Sequence, residues 1–171
     1  MHHPESRKAD NSFAAVYDAN YDRVFKYAYT LLLNREDAED VTADTFIAAY
    51  MNFDRYDPER ASVATWLTRI VHNRAVNLLR SAAYSKRSGL PEGWEPKDGG
   101  ADLFDQAEAS DALVRLYARL LPEEREFLNM RYVMELQDRE IGALLGLTAK
   151  TVNKRYQRLL AKCRLIMNDI G

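Results

Sequence analysis

Gln137-Asp-Arg-Glu-Ile-Gly-Ala-Leu-Leu-Gly146-Leu-Thr148-Ala-Lys-Thr-Val-Asn-Lys-Arg-Tyr-Gln-Arg158 reads as two helical patterns joined by a three-residue turn. The first runs from about Asp138 to Leu145; Gly146 can end it and Thr148 can cap the second. In the second, which continues to Met167, Val152, Tyr156, Leu159, Cys163 and Ile166 fall on one side. Lys150, Lys154, Gln157 and Arg158 project from the other. The pattern is that of a helix-turn-helix. One face locks the helix onto its own module while the other carries groups able to enter a major groove. Cations there supply phosphate affinity, and the amides of Asn153 and Gln157 offer paired donor and acceptor atoms to bases. A lone amphipathic helix with this face would be read more simply as solvated. The preceding short helix and the Gly-Leu-Thr turn favour DNA.

Working outward, every recognisable element is helical. Phe13, Val16, Tyr17, Tyr21, Val24, Ala28, Leu31 and Leu32 form one apolar stripe, predicting a long amphipathic helix from Phe13. Asn34 can end that helix or cap the next, in which Ala38, Val41, Thr45, Ala48 and Ala49 share a face opposite Glu36, Glu39, Asp40 and Asp44. Residues 52–61, with Tyr56-Asp57-Pro58, break the pattern as a loop. A third helix begins at about Ser62, with Val63, Trp66, Leu67, Ile70 and Leu78 inward and Arg69, Asn73 and Arg80 in a neighbouring stripe. Arg74 and Asn77 fall near the inner side, where structural hydrogen bonds are expected. Leu113, Leu116, Tyr117 and Leu120 mark a further helix, Pro122 suits a first helical position, and Phe127, Leu128 and Tyr132 mark another. The expected fold class is all-α, in two small helical domains.

Between the domains, Gly89, Pro91, Gly93, Pro96, Gly99 and Gly100 are too dense for regular structure and predict a flexible linker. The net charge of -2 hides how charge is sorted along the chain. Residues 61–90 and 141–168 contain no carboxylate but carry Arg69, Arg74, Arg80, Lys86 and Arg87, then Lys150, Lys154, Arg155, Arg158, Lys162 and Arg164. Residues 91–111 carry seven carboxylates against Lys97 alone. Two basic modules and an acidic connector point to two polyanion-facing surfaces.

Several classes find little support. Cys163 is the single cysteine, so no internal disulfide forms, and no Cys/His cluster has zinc-ligand spacing; a reducing cytoplasm is expected. No run approaches the ~20 apolar residues of a membrane span. The start, with His2, His3, Arg7 and Lys8, lacks the apolar core of a secretory signal, and the two histidines fit a frayed terminus better than a metal site. No nucleophile, metal cluster or phosphate-cradling glycine loop appears, so neither an enzyme nor a cofactor is expected. His72 has no catalytic partner in a motif, Trp66 reads as a core anchor, and Cys163 as a space-filler. For Tyr56, base stacking and ordinary packing stand level.

From about Tyr21 to Leu165 the chain resembles the extracytoplasmic-function group of bacterial RNA polymerase sigma factors, with the linker alike only in character. Asp37-Ala-Glu-Asp-Val-Thr-Ala-Asp-Thr-Phe46 resembles the segment that docks on the beta-prime clamp of core polymerase, which implies binding by Asp37, Glu39, Asp40, Asp44 and Phe46. Tyr56-Asp-Pro-Glu-Arg-Ala-Ser-Val-Ala-Thr-Trp-Leu67, continuing through Arg69-Ile-Val-His-Asn73, resembles the loop and helix that read the minus-ten element. The resemblance puts Asp57, Ser62, Val63 and Asn73 around a base extruded from the non-template strand, with Tyr56, Arg69 and Arg80 on the same DNA-binding surface. Extrusion costs a few kcal/mol of stacking, which a polar pocket can offset.

Leu121-Pro-Glu-Glu-Arg-Glu-Phe127 with Arg131-Tyr132 resembles the entry to the domain that reads the minus-thirty-five element, and the helix-turn-helix completes that domain. By matched position Asn153, Lys154 and Gln157 face bases, with Lys150, Thr151, Arg155 and Arg158 on the same surface and the phosphates nearby. Departures at Ala61, Val63, Gln137 and Ala149-Lys150 bear on promoter sequence and not on class. The resemblance implies a minus-ten domain over residues 13–86, an acidic linker over 87–107 and a minus-thirty-five domain over 108–168. It also implies core polymerase (beta-prime clamp and beta flap), promoter DNA and an anti-sigma factor as partners, with no membrane insertion. The rival reading is a self-sufficient helix-turn-helix regulator that binds an operator as a dimer. Sequence-specific binding without polymerase would distinguish it.

Overall fold

Leu33 takes a left-handed backbone (φ 53°) and stops the first helix; Asn34 then caps the second, its side chain accepting the Asp37 amide at 3.0 Å. This sharp reversal folds α1 (Pro4–Leu32) back along α2 (Arg35–Met51) in the computed structural model, which describes residues 4–81 and 111–171. A single 3-10 turn, Phe53–Arg55, leads through the loop to Ser62, whose hydroxyl caps α3 (Val63–Arg80) by accepting the Thr65 amide at 3.2 Å. The expected start of α1 at Phe13 is corrected to Pro4. The extra turns are rich in charged and polar residues and carry no apolar stripe to announce them.

The three helices bury one core. Val24, Tyr27, Ala28 and Leu31 come from α1, Ala38, Val41, Phe46 and Ala49 from α2, and Leu67, Val71 and Ala75 from α3. Each large side chain removed from water contributes about 1.5–3 kcal/mol. Thr42, Thr45 and Thr68 are buried among them at no polar cost, because each hydroxyl donates to the carbonyl four residues earlier at 2.6–2.7 Å.

The second body consists of α4 (Asp111–Arg119), α5 (Pro122–Tyr132), α6 (Asp138–Leu145) and α7 (Ala149–Ile170). Pro122 stands at the start of α5, where its missing N–H costs nothing. Glu124 and Glu140 fold back to accept the amides of Leu121 and Gln137 at 2.9 and 2.8 Å, closing the first turns of α5 and α6. Leu116, Leu120, Phe127, Met130, Ile141, Val152, Tyr156 and Leu159 form the interior. All described regular structure is helical, in agreement with the expected class. The linker expected over 87–107, and the boundaries expected at 86 and 108, lie outside the described residues.

The two domains are in direct contact. Here α5 packs across α1, and α6 packs against α3. Arg125 Nη2 donates to the Leu31 carbonyl at 3.0 Å and Asn129 Nδ2 to Thr30 Oγ1 at 2.6 Å, both across the domain boundary.

Candidate nucleic-acid interface

The turn between α6 and α7 is set by backbone. Gly146 occupies the left-handed region (φ 68°) at the C-cap of α6, and the Leu147 amide donates to the Gly142 carbonyl at 2.9 Å. Thr148 Oγ1 accepts the Thr151 amide at 3.2 Å, so α7 starts at a fixed point and angle. Its inner face is anchored by Tyr156. That ring stacks on Phe127 with centroids 4.2 Å apart, its hydroxyl donates to the Phe127 carbonyl, and the Arg131 guanidinium lies 4.2 Å from its centre. Burial raises the Tyr156 hydroxyl well above its ordinary pKa, keeping it a neutral donor. Cys163 is buried on the same side, as the spacing predicted.

With Val152, Tyr156 and Leu159 inward, Lys150, Asn153, Lys154, Arg155, Gln157 and Arg158 are exposed and Thr151 is half-buried. None of those exposed side chains makes an ion pair or hydrogen bond among the described residues. An array of unpaired cations and amides on a rigidly seated helix costs nothing to desolvate from internal partners before it meets a phosphate or base edge. Lys162 does not join it, because its ammonium is held by both oxygens of Glu124 at 2.7 and 2.8 Å.

The second basic surface is built around Tyr56 and Trp66, whose rings stack with centroids 4.6 Å apart. Tyr56 Oη donates to the Ala61 carbonyl at 2.9 Å, and Asp57 Oδ1 accepts the Glu59 amide at 2.9 Å. Tyr56 is thereby committed to holding the loop. Asp57, Arg69, Asn73 and Arg80 are exposed and Val63 is half-buried. Ser62 is exposed as well, but its hydroxyl reaches Glu140 Oε1 of α6 at 3.0 Å. Arg69 and Asn73 line a cleft of about 280 Å³ with Thr68, His72, Met130, Ala143, Leu144 and Leu145. Arg74 and Asn77 are exposed, correcting their expected inward role; the buried face of α3 runs through Thr65, Leu67, Thr68, Val71 and Ala75 and leaves both outside it. Trp66 is half-buried against the core and is an anchor as read.

On α2, Glu39, Asp40 and Asp44 are exposed and Asp37 is half-buried. Glu39 pairs with Arg35 at 3.2 Å. Phe46 is corrected as a contact residue: it is buried, with Tyr17 and Tyr21 rings 4.7 and 6.1 Å away, and acts through packing. The sequence reading missed its exposed neighbours Ile47, Tyr50 and Met51, which are 59%, 55% and 74% accessible. Asp40, Asp44, Ile47 and Met51 recur at four-, three- and four-residue steps and form one outward stripe, acidic at one end and apolar at the other. The signal was available: large apolar residues lying off a helix's completed inner face.

Among the described residues no group of side chains could hold a metal ion, and no helix is long and apolar enough to cross a membrane.

The sequence matches Sigma-70 region 2 over residues 16–84 and Sigma-70 region 4 over residues 110–163. It is 28% identical to the ECF RNA polymerase sigma factor SigW of Bacillus subtilis, covering 96% of this chain and 94% of that protein. It is 29% identical to the ECF RNA polymerase sigma factor RpoE of Cereibacter sphaeroides, covering 77% and 72%. The fold is similar to that of CnrH in complex with the cytosolic domain of CnrY, with a TM-score of 0.68 and 23% identity over 97% of this chain and 96% of that one. Such factors carry no catalytic chemistry; they direct RNA polymerase to promoters. This chain belongs to the extracytoplasmic-function group of bacterial RNA polymerase sigma factors.

Proposed function

We propose that the division of labour within the chain follows its two basic surfaces and its acidic-apolar stripe. The first body, residues 13–86, holds core polymerase and reads the minus-ten element; residues 108–168 read the minus-thirty-five element; residues 87–107 connect them. Asp40, Asp44, Ile47 and Met51 meet the beta-prime clamp, with Glu39, Tyr50 and the partly buried Asp37 at the edges of that contact. Carboxylates at one end steer a basic partner, while the apolar end supplies desolvation energy.

In the second body Asn153, Lys154 and Gln157 face base edges, with Lys150, Thr151, Arg155 and Arg158 toward phosphates. In the first, Asp57, Ser62, Val63, Arg69, Asn73 and Arg80 surround and track an extruded base and its strand, on a loop held rigid by Tyr56. The observation that carries the reading is the outward array on α7, cationic and amide-rich, unpaired, and seated on its module through Tyr156. The beta flap is assigned to the second body by the same family pattern. An anti-sigma factor is the remaining partner, by analogy with the assembly of CnrH with CnrY's cytosolic domain.

Run-off transcription with purified core enzyme tests the reading. Addition of the chain yields promoter-dependent product on a subset of a candidate promoter library; no product on any member would overturn it.

A further inference from the structure

Between α5 and α7 lies a cavity of about 380 Å³, within the range that small ligands occupy. The two helices are held at two points, where Tyr156 stacks on Phe127 and where the Lys162 ammonium meets both oxygens of Glu124. The cavity is therefore preformed. Phe127, Met130, Leu145 and Leu159 give it an apolar floor, and Arg155 and Arg158 stand on its α7 side.

Charge makes the cavity one-ended. Glu124 is taken by Lys162 and by the Leu121 amide, and Glu126 by the Tyr27 hydroxyl and His72 Nδ1. Glu123, which precedes Glu124, shares the end that the Lys162 ion pair closes. At 1.5 Å of rise per residue, Arg155 lies about 10 Å from Lys162 along the axis of α7. Arg155 and Arg158 are exposed and make no ion pair or hydrogen bond among the described residues. The end away from Lys162 thus offers two uncommitted guanidinium groups beside an apolar floor.

A guanidinium pairs with a carboxylate through two parallel hydrogen bonds, a geometry that a neutral group does not match. A cationic ligand would meet two like charges there. An apolar body carrying one acid group satisfies both the floor and the open end.

We propose that this cavity binds a small organic acid, one carboxylate on an apolar body of about ten carbons, with the carboxylate on Arg155 and Arg158 and the body against Phe127, Met130 and Leu159. Its consequence for DNA rests on the assignment of these two arginines to phosphates. A carboxylate seated there withdraws them from the duplex, so the acid weakens binding of the upstream element, and the duplex weakens binding of the acid by the same factor.

The test titrates 2-naphthoate, and 2-naphthalenemethanol as its neutral counterpart, into the full chain labelled at its methionine methyls. Met130 lines the cavity and Met51, Met134 and Met167 do not, so Met130 alone among them is expected to shift. A dissociation constant on the order of 0.1 mM is expected for a ligand of about thirteen heavy atoms. The alcohol should bind about tenfold more weakly, the scale of hydrogen bonds to a charged group. Arg158→Gln removes an exposed, unpaired side chain and leaves the fold intact; it should erase the preference for the acid and leave the alcohol's affinity unchanged. Saturating 2-naphthoate should weaken binding of upstream-element duplex about tenfold and lower its salt dependence by roughly one counterion per arginine withdrawn.

No shift of Met130, or equal affinity for acid and alcohol, overturns the site. A chain that sediments as a dimer, with a Met130 signal that moves on dilution, assigns the cavity to a second copy and overturns it as well. A Met130 shift beside unchanged duplex affinity upholds the site and overturns the phosphate assignment of the two arginines.

Discussion

Leu147 folds back onto Gly142: its amide donates to the Gly142 carbonyl at 2.9 Å, and a Cβ on Gly142 would collide with its own carbonyl oxygen. The two halves of the helix-turn-helix thus meet backbone to backbone. Gly142→Ala must displace the turn, and a loss of about 1–3 kcal/mol is expected together with weakened binding to the upstream element. At Gly146 nothing lies within 4 Å of a Cβ, and only the left-handed backbone resists substitution. Gly146→Ala should cost about 1–2 kcal/mol and spare the turn's shape. Thermal unfolding and duplex binding of both variants separate clash from strain; equal DNA affinity of Gly142→Ala and wild type would contradict the close approach.

The two DNA surfaces make separate demands on the promoter. Gln157→Ala should relax base preference only within the upstream element, by about 1–3 kcal/mol per lost base contact. Lys154→Ala should disturb the same element and lower the salt dependence of binding by roughly one counterion if it also neutralises a phosphate. Asn73→Ala should weaken reading of the downstream element. Promoters with one element exchanged at a time, assayed as holoenzyme, check this; identical profiles for the three variants would contradict it.

On α2, Met51→Ala and Ile47→Ala remove exposed side chains, so folding is expected to stay within about 0.5 kcal/mol of wild type while affinity for core polymerase falls about tenfold. Phe46→Ala should do the reverse, costing about 3–5 kcal/mol of stability through the cavity it leaves. Equilibrium binding to core enzyme beside chemical unfolding distinguishes the two. A stable Phe46→Ala protein that fails to bind core would restore a direct contact for that ring.

Burial pushes the Tyr117 hydroxyl to about 12. The folded state therefore holds a proton that the unfolded chain releases near pH 10, so stability is full below pH 10 and falls as pH rises toward about 12. Tyr27 and Tyr156 are raised by burial in the same sense. Tyr117→Phe should flatten part of the alkaline decline in a pH series of unfolding midpoints; a curve parallel to wild type would contradict the assignment.

What the sequence made legible was local. Asn34 and Thr148 act as caps, Pro122 opens α5, and Gly146 closes α6, because each is decided by chemistry within four residues. The outward array on α7 followed from helical period alone. What stayed hidden was long-range. Nothing local to Arg125, Glu126 and Asn129 announces their burial, and only the fold brings Leu31, Tyr27, His72 and Thr30 to meet them. Phe46 was assigned by motif position, whereas the rings of Tyr17 and Tyr21, more than twenty residues earlier, determine its burial.

The most direct test is site-specific photocrosslinking from Asn153 and from Asn73 in the open promoter complex. Two crosslinks about 25 base pairs apart, with Asn153 upstream, are predicted from 3.4 Å of rise per step and two bodies parted along the duplex. Crosslinks from both positions to the same few base pairs would contradict the account.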